Sequence, residues 1–182
     1  KAFDRYITLY PNSQRNSEAY RYLTEVFMVT RNYSDAISSI EKIENKTSEI
    51  LRAYQRVTFF RGLELFNNLA YNQAVDHFNL SLENGSHDRE LNARALYWKA
   101  EALYRVGEYP ASAETYSQFL RTAGAFSLPE FKDTEYNLAY AYFKQENFNQ
   151  ASSHFRNYIN SQQGQQSEKL ADAYNRLGDY YF

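Results

Sequence analysis

Acid–base or metal chemistry in this sequence would have to come from three histidines and a scatter of carboxylates. His77 and His154 are the pair worth testing, because they occupy equivalent places in a repeat set out below. Equivalence puts both on an outer face but two repeats apart, too far to share a metal ion or a proton, so each reads as a lone surface histidine. The acidic pairs Glu41/Glu44 and Asp88/Glu90 read as a solvated face and as a helix first turn, where negative charge is favoured. No Gly-rich phosphate loop, HExxH metal motif or GxSxG elbow occurs. Cysteine is absent, which excludes disulfides, thiolate metal sites and a cysteine nucleophile without choosing a compartment. The expectation is a protein that is not an enzyme and has no cofactor and no metal.

What the chain does offer is recognition chemistry. Aromatic residues make up 18% of its 182 positions, with 18 Tyr and 13 Phe. Tyrosine buries a ring while keeping a hydroxyl in water, which suits a fold with much half-buried surface. Tyrosines and Trp98 could stack on a carbohydrate or another small ligand, but the polar partners such a site needs do not stand out. The sequons at Asn32, Asn45, Asn79 and Asn84 read as by-products of an Asn- and Ser-rich chain. A formal net charge of −2 gives no electrostatic case for nucleic acid or an anionic membrane surface. No apolar run reaches the roughly 18 residues needed to cross a bilayer.

These side chains are positioned by a repeat. Four segments carry an aromatic residue followed three positions later by a small one: Tyr33/Ala36, Tyr71/Ala74, Tyr109/Ser112 and Phe148/Ala151. The aromatics at 33, 71, 109 and 148 lie 38, 38 and 39 residues apart. Twelve residues before each small residue sits another slim one, Thr24, Gly62, Ala100 and Ala139, and the series runs on to Gly178. Four residues after it comes Ile40, Phe78, Tyr116 or Phe155. Glycine inside a helix costs about 1 kcal/mol relative to alanine. Its recurrence at 62 and 178 therefore predicts close approach of a neighbouring helix at both. Gly85, Gly107, Gly124 and Gly164 fall between periodic segments and read as turn residues.

Apolar residues step at three and four positions, as in Tyr20, Leu23, Phe27 and Leu96, Ala100, Leu103, the mark of one buried helix face. No segment alternates long enough to predict a strand. First helices are predicted near 16–31, 49–68, 89–106, 129–146 and 167–182. Second helices are predicted near 1–10, 34–45, 71–84, 110–122 and 148–162. Pro110 fits a first helical turn, and Pro129 is expected to open a helix. The fold class is all-α, a right-handed solenoid of antiparallel helix hairpins forming one domain over 1–182, with about four to five repeats. Because residues 1–10 read as half a repeat and 167–182 as another half, the chain is expected to be a piece of a longer array. Its uncapped ends are then candidates for self-association.

The segment Leu96-Tyr97-Trp98-Lys99-Ala100-Glu101-Ala102-Leu103-Tyr104-Arg105-Val106-Gly107-Glu108-Tyr109 resembles the first helix and turn of the tetratricopeptide repeat. Residues 136–148 and 174–182 are similar to the same pattern. The family period is about 34 residues, so each repeat here is lengthened. Ser112 stands where alanine is expected, Thr24 where glycine is, and Pro11 alone keeps the proline that often closes a repeat. Long degenerate repeats of this kind are similar to those of bacterial cell-envelope assembly proteins and of large repeat proteins of unknown role, so the compartment stays open, with the bacterial envelope or periplasm favoured.

The resemblance implies a concave groove, lined by first helices, that takes up a peptide or helix from a protein partner. Carried over position by position, the lining is Arg21, Glu25 and Met28, then Phe59, Leu63 and Phe66, from the first two full repeats. Tyr97, Glu101 and Tyr104 follow, then Tyr136, Tyr140 and Phe143. The slots that clamp a partner's terminal carboxylate in chaperone-binding members lack the Lys, Asn and Arg cluster here, so that mode is not expected. The fragment could equally be a scaffold arm for an enzymatic or regulatory module elsewhere in a larger protein.

Overall fold

The computed structural model describes residues 5–6, 9–10, 13, 15–43, 45–162 and 166–181, less some side chains, mostly in the first helix. Among the described residues all regular structure is helical, and nine α-helices run in series. They are α1 (Asn16–Thr30), α2 (Tyr33–Glu41), α3 (Ser48–Asn67), α4 (Tyr71–Glu83) and α5 (Arg89–Val106). After these come α6 (Tyr109–Arg121), α7 (Phe131–Lys144), α8 (Phe148–Ser161) and α9 (Glu168–Tyr181). Of the expected helix at 1–10 only residues 5–6 and 9–10 are described, and 5, 6 and 9 are helical. The chain divides into two compact units, residues 1–92 and 93–182, with the boundary inside α5.

Each hairpin turn is built the same way. Arg31, Leu69, Gly107 and Glu146 have positive φ (55°, 62°, 90° and 58°) and recur with the period of the repeat. The left-handed residue lets the next amides fold back on the last helical carbonyls. Ala70 N donates to Leu65 O (2.9 Å), Glu108 N to Leu103 O (2.9 Å) and Asn147 N to Tyr142 O (3.0 Å). Only Gly107 adopts this conformation without a Cβ penalty. Helix starts are capped where the sequence allows. The side chains of Asn32, Thr47 and Asn147 accept from the amides of Asp35, Ile50 and Gln150.

In the unit 1–92, Ala36, Ile37 and Ile40 of α2 pack on Ile50, Tyr54 and Val57 of α3. The α3–α4 crossing is closed by Gly62, where a Cβ would stand 2.7 Å from Phe78 Cε1. Phe78 is fully buried against Phe59, with centroids 5.9 Å apart. In the unit 93–182 the same slots hold Ala100 against Tyr116 and Ala139 against Phe155, all buried. The close approach expected at Gly178 is not found among the described residues, none of which lies within 4 Å of a Cβ built there. The aromatic that fills each slot comes sixteen residues later (62 to 78, 100 to 116, 139 to 155). Ser112 is fully buried and donates to Ala100 O at 2.9 Å, so its hydroxyl is used where the family carries alanine.

Two boundaries differ from expectation. Pro129 does not open α7, which starts at Phe131. The segment before it forms a 3₁₀ turn at Ala125–Ser127, and Leu128 is extended (ψ 142°), as a residue preceding proline prefers. The helix expected over 34–45 stops at Glu41. Lys46 Nζ then donates to Ile43 O (2.7 Å), beyond that C-terminus.

Candidate functional site

The unit 93–182 holds a cavity that gathers four of the twelve expected groove residues. Ala100 is buried against Ala113 and Tyr116 of α6, and Tyr97 and Tyr104, three residues before and four after it on the same helix face, pack half-buried at the edge of that cluster. Leu138 and Ala139 of α7 are buried, leaving Tyr136 and Tyr140 half-buried beside them. Glu101, Tyr104, Tyr136 and Tyr140 border one cavity of about 250 Å³. Arg105, Tyr116 and Asn137 complete its wall. Phe143 lines a second cavity of about 400 Å³ with Phe148, Phe155 and Arg176.

Hydrogen bonds fix these walls across one period. Glu101 Oε1 accepts from Asn137 Nδ2 at 2.7 Å and from the Tyr116 hydroxyl. Asn137 Nδ2 also donates to the Tyr97 hydroxyl at 3.1 Å. One repeat on, Tyr136 donates to Asp172 Oδ2 at 2.9 Å, and Tyr140 donates to the same oxygen. Arg176 Nε donates to the Tyr140 hydroxyl at 3.1 Å. Burial, followed by the nearby Glu101 charge, pushes the Tyr97 and Tyr116 phenols above their usual pKa. Burial, followed by the hydrogen bond to Asp172, does the same for Tyr136 and Tyr140. These phenols stay protonated at neutral pH and serve as donors and as aromatic surface.

The twelve expected residues are distributed unevenly. Tyr97 is half-buried and bound into the core, 5.9 Å from Tyr116 and 5.6 Å from Phe119, so it supports the cavity rather than bordering it. Phe59 is 2% exposed and sealed between Phe60 and Phe78, leaving no surface to line a groove. Leu63 and Phe66 are half-buried on α3, with Phe66 edge-on to Tyr71 at 5.2 Å. Glu25 is exposed on α1, while the side chains of Arg21 and Met28 lie outside the described residues. The sequence reading missed Asn137, Asp172 and Arg176. Their signal was periodic: Asn137 and Arg176 lie 39 apart, as do Asp133 and Asp172, each polar beside an aromatic stripe.

The histidines are not lone surface groups. His154 is half-buried, its Nδ1 2.6 Å from Glu135 Oε2 and its ring stacked on Tyr142 at 5.3 Å. Its helix packs on α7, which supplies both partners. His77 is half-buried on α4, and its Nδ1 has no hydrogen-bond partner among the described residues. Burial, then the charge of Arg61, lowers its pKa. Trp98 is half-buried and edge-on to Tyr97 at 5.5 Å, so it packs against a neighbouring ring. Among the described residues no cluster of His, Asp and Glu is placed to hold a metal ion, and no helix is long and apolar enough to cross a membrane.

Residues 61–127 match the family model of the tetratricopeptide repeat. No curated protein matches the sequence. Solved structures share the fold at low identity. The apo form of RapI superposes with TM-score 0.68 at 20% identity, over 92% of this chain and 46% of RapI. BtubC from P. vanneervenii gives 0.62 at 11%, over 98% and 78% of the two chains. The tetratricopeptide-like repeats of a putative kinesin light chain from Podospora anserina give 0.55 at 13%, over 93% and 88%. This chain spans a little under half the length of RapI. The fold is the all-α, tetratricopeptide-type array of helix hairpins.

Proposed function

We propose, from the premise that residues 61–127 carry the tetratricopeptide repeat and that the chain is built of its helix hairpins, that this is a non-catalytic protein-interaction module. Its unit 93–182 takes up a partner peptide or helix over the cavity bordered by Glu101, Tyr104, Tyr136 and Tyr140. That cavity is the observation that carries the reading. Tyrosines offer large contact area at low entropic cost and are enriched at binding hot spots. At about 250 Å³ the cavity falls below the roughly 300–1,000 Å³ usual for small-molecule sites, which favours an anchoring side chain over a free ligand.

The test is affinity capture with quantitative mass spectrometry, comparing the parent chain with Tyr104→Ala and with the control Phe126→Ala. Phe126 is 77% exposed in the 3₁₀ turn, away from the cavity. A protein lost from Tyr104→Ala but kept by Phe126→Ala, at equal helicity, supports the proposal. Identical capture by all three chains refutes it.

A further inference from the structure

The cavity has a counterpart one period along the chain, and the comparison shows what the first one lacks. Adding 39 takes Glu101 to Tyr140, Tyr104 to Phe143 and Asn137 to Arg176. In the second set Arg176 lies over the rings of Tyr140 and Phe143, its guanidinium carbon 6.0 and 5.5 Å from their centroids. Asp172 at 3.6 Å and Asp179 at 3.3 Å supply its counter-charge. A guanidinium on aromatic faces with carboxylates at its edge combines stacking with charge-assisted hydrogen bonding.

In the first set the equivalent residue is Asn137, shorter and neutral. Its amide serves Glu101 Oε1 and the Tyr97 hydroxyl. The half-buried Glu101 carboxylate is therefore held by neutral donors, the Tyr116 phenol and the Asn137 amide. Among the described residues it has no ion pair, and no cation lies over Tyr104, whereas Lys169 Nζ stands 5.6 Å from the centroid of Tyr136. Arg105 borders the cavity but is exposed and forms no ion pair with Glu101. A carboxylate charge partly withdrawn from water and left without a counter-ion attracts a cation more strongly than one in bulk solvent.

Resting on the partner-binding reading above, we infer that this cavity accepts the basic side chain of a partner segment, arginine in preference to lysine. Its cationic head sits against Tyr104 with Glu101 as counter-charge, as Arg176 sits against Phe143, the counterpart of Tyr104, with Asp172 as its counter-charge. Arginine is preferred because its planar head stacks and forks at once.

The test uses the 182-residue chain with tyrosine rings labelled for NMR. It is titrated with acetyl-Ala-Ala-Arg-Ala-Ala-amide and with the same peptide carrying norleucine or glutamate in place of arginine. The arginine peptide is expected to move the Tyr104 and Tyr136 signals, and added salt to weaken it. Glu101→Gln keeps an oxygen for Tyr116 and Asn137 while removing the charge, and is expected to lower affinity about tenfold. Asn137→Arg copies the Arg176 arrangement into the cavity and is expected to abolish the response. A norleucine or glutamate peptide that moves the same signals as strongly overturns the charge inference while leaving partner binding intact. No movement with any peptide also overturns it. Partner binding itself is judged by the Tyr104→Ala capture, which uses none of these probes.

Discussion

Gly62 and Gly178 occupy the same slot of the repeat, yet a methyl group added to each should move stability in opposite directions. Both lie inside helices, α3 and α9, where replacing glycine by alanine gains about 1 kcal/mol. At Gly178 nothing among the described residues lies within 4 Å of the new Cβ, so most of that gain should survive. At Gly62 the Cβ would stand 2.7 Å from Phe78 Cε1, 2.8 Å from Cδ1 and 3.1 Å from Cζ. Carbon atoms prefer about 3.5–4.0 Å, so the ring must give way by close to an ångström. Phe78 is fully buried and packed against Phe59, which leaves it nowhere to go. Overpacking of this kind costs about 1–3 kcal/mol, which outweighs the helical gain and leaves a net loss of about 1 kcal/mol. In a chain of this length each kcal/mol shifts Tm by about 2–4 °C.

The assay is urea and thermal denaturation followed by circular dichroism, with hydrogen exchange to assign each loss to a unit, since two compact units need not unfold together. The double variant Gly62→Ala, Phe78→Leu should recover part of the Gly62→Ala loss, because the smaller side chain vacates the contested space. A coupling of about 0.5–3 kcal/mol is expected for residues in direct contact. Gly62→Ala and Gly178→Ala changing stability in the same direction would refute the reasoning, as would an absence of coupling to Phe78.

Further expectations come from the turns, the buried hydroxyl and His77. Leu69 is 71% exposed with φ of 62°, so Leu69→Gly relieves a left-handed strain without losing packing and should stabilise by about 0.5–1 kcal/mol, read by urea midpoint. Ser112→Ala places there the alanine expected from the resemblance to the tetratricopeptide repeat but removes the bond to Ala100 O; it should cost about 1 kcal/mol on the same assay. For His77, burial and then Arg61 lower the folded-state pKa, so the unfolded chain takes up its proton first as pH falls. Stability of the unit 1–92 should therefore be complete above the unfolded value of about 6.5 and decline as pH drops below it. His77→Gln should flatten that part of the pH profile in denaturation midpoints.

Most of the architecture was legible because one period governs burial. A residue that meets a neighbouring helix, such as Ala100 or Ala139, has to be small, and the aromatic that meets it has to recur sixteen positions on. Turn chemistry was only partly legible. Gly107 announces its left-handed φ, but Arg31, Leu69 and Glu146 adopt the same conformation from residue types that do not advertise it. The α7 start was misjudged because Pro129 and its extended predecessor Leu128 lengthen the link instead of opening the helix. At the candidate site the aromatic residues were readable from helical spacing. Their polar partners were not, because Glu101–Asn137, Tyr136–Asp172 and Tyr140–Arg176 join positions 36 residues apart on different helices. Burial also divides a stripe that looks uniform in sequence: Phe59 is sealed in the core, whereas Tyr104 borders the cavity.

The central claim is that a partner binds over the cavity between α5 and α7, and covalent side-chain footprinting of the chain with and without its captured partner tests it most directly. The account predicts protection of Glu101, Tyr104, Tyr136 and Tyr140, with Phe126 and the exposed residues of α8 labelled as before. Protection confined to α6 and α8, or to residues 16–83, with those four side chains unchanged, would contradict it.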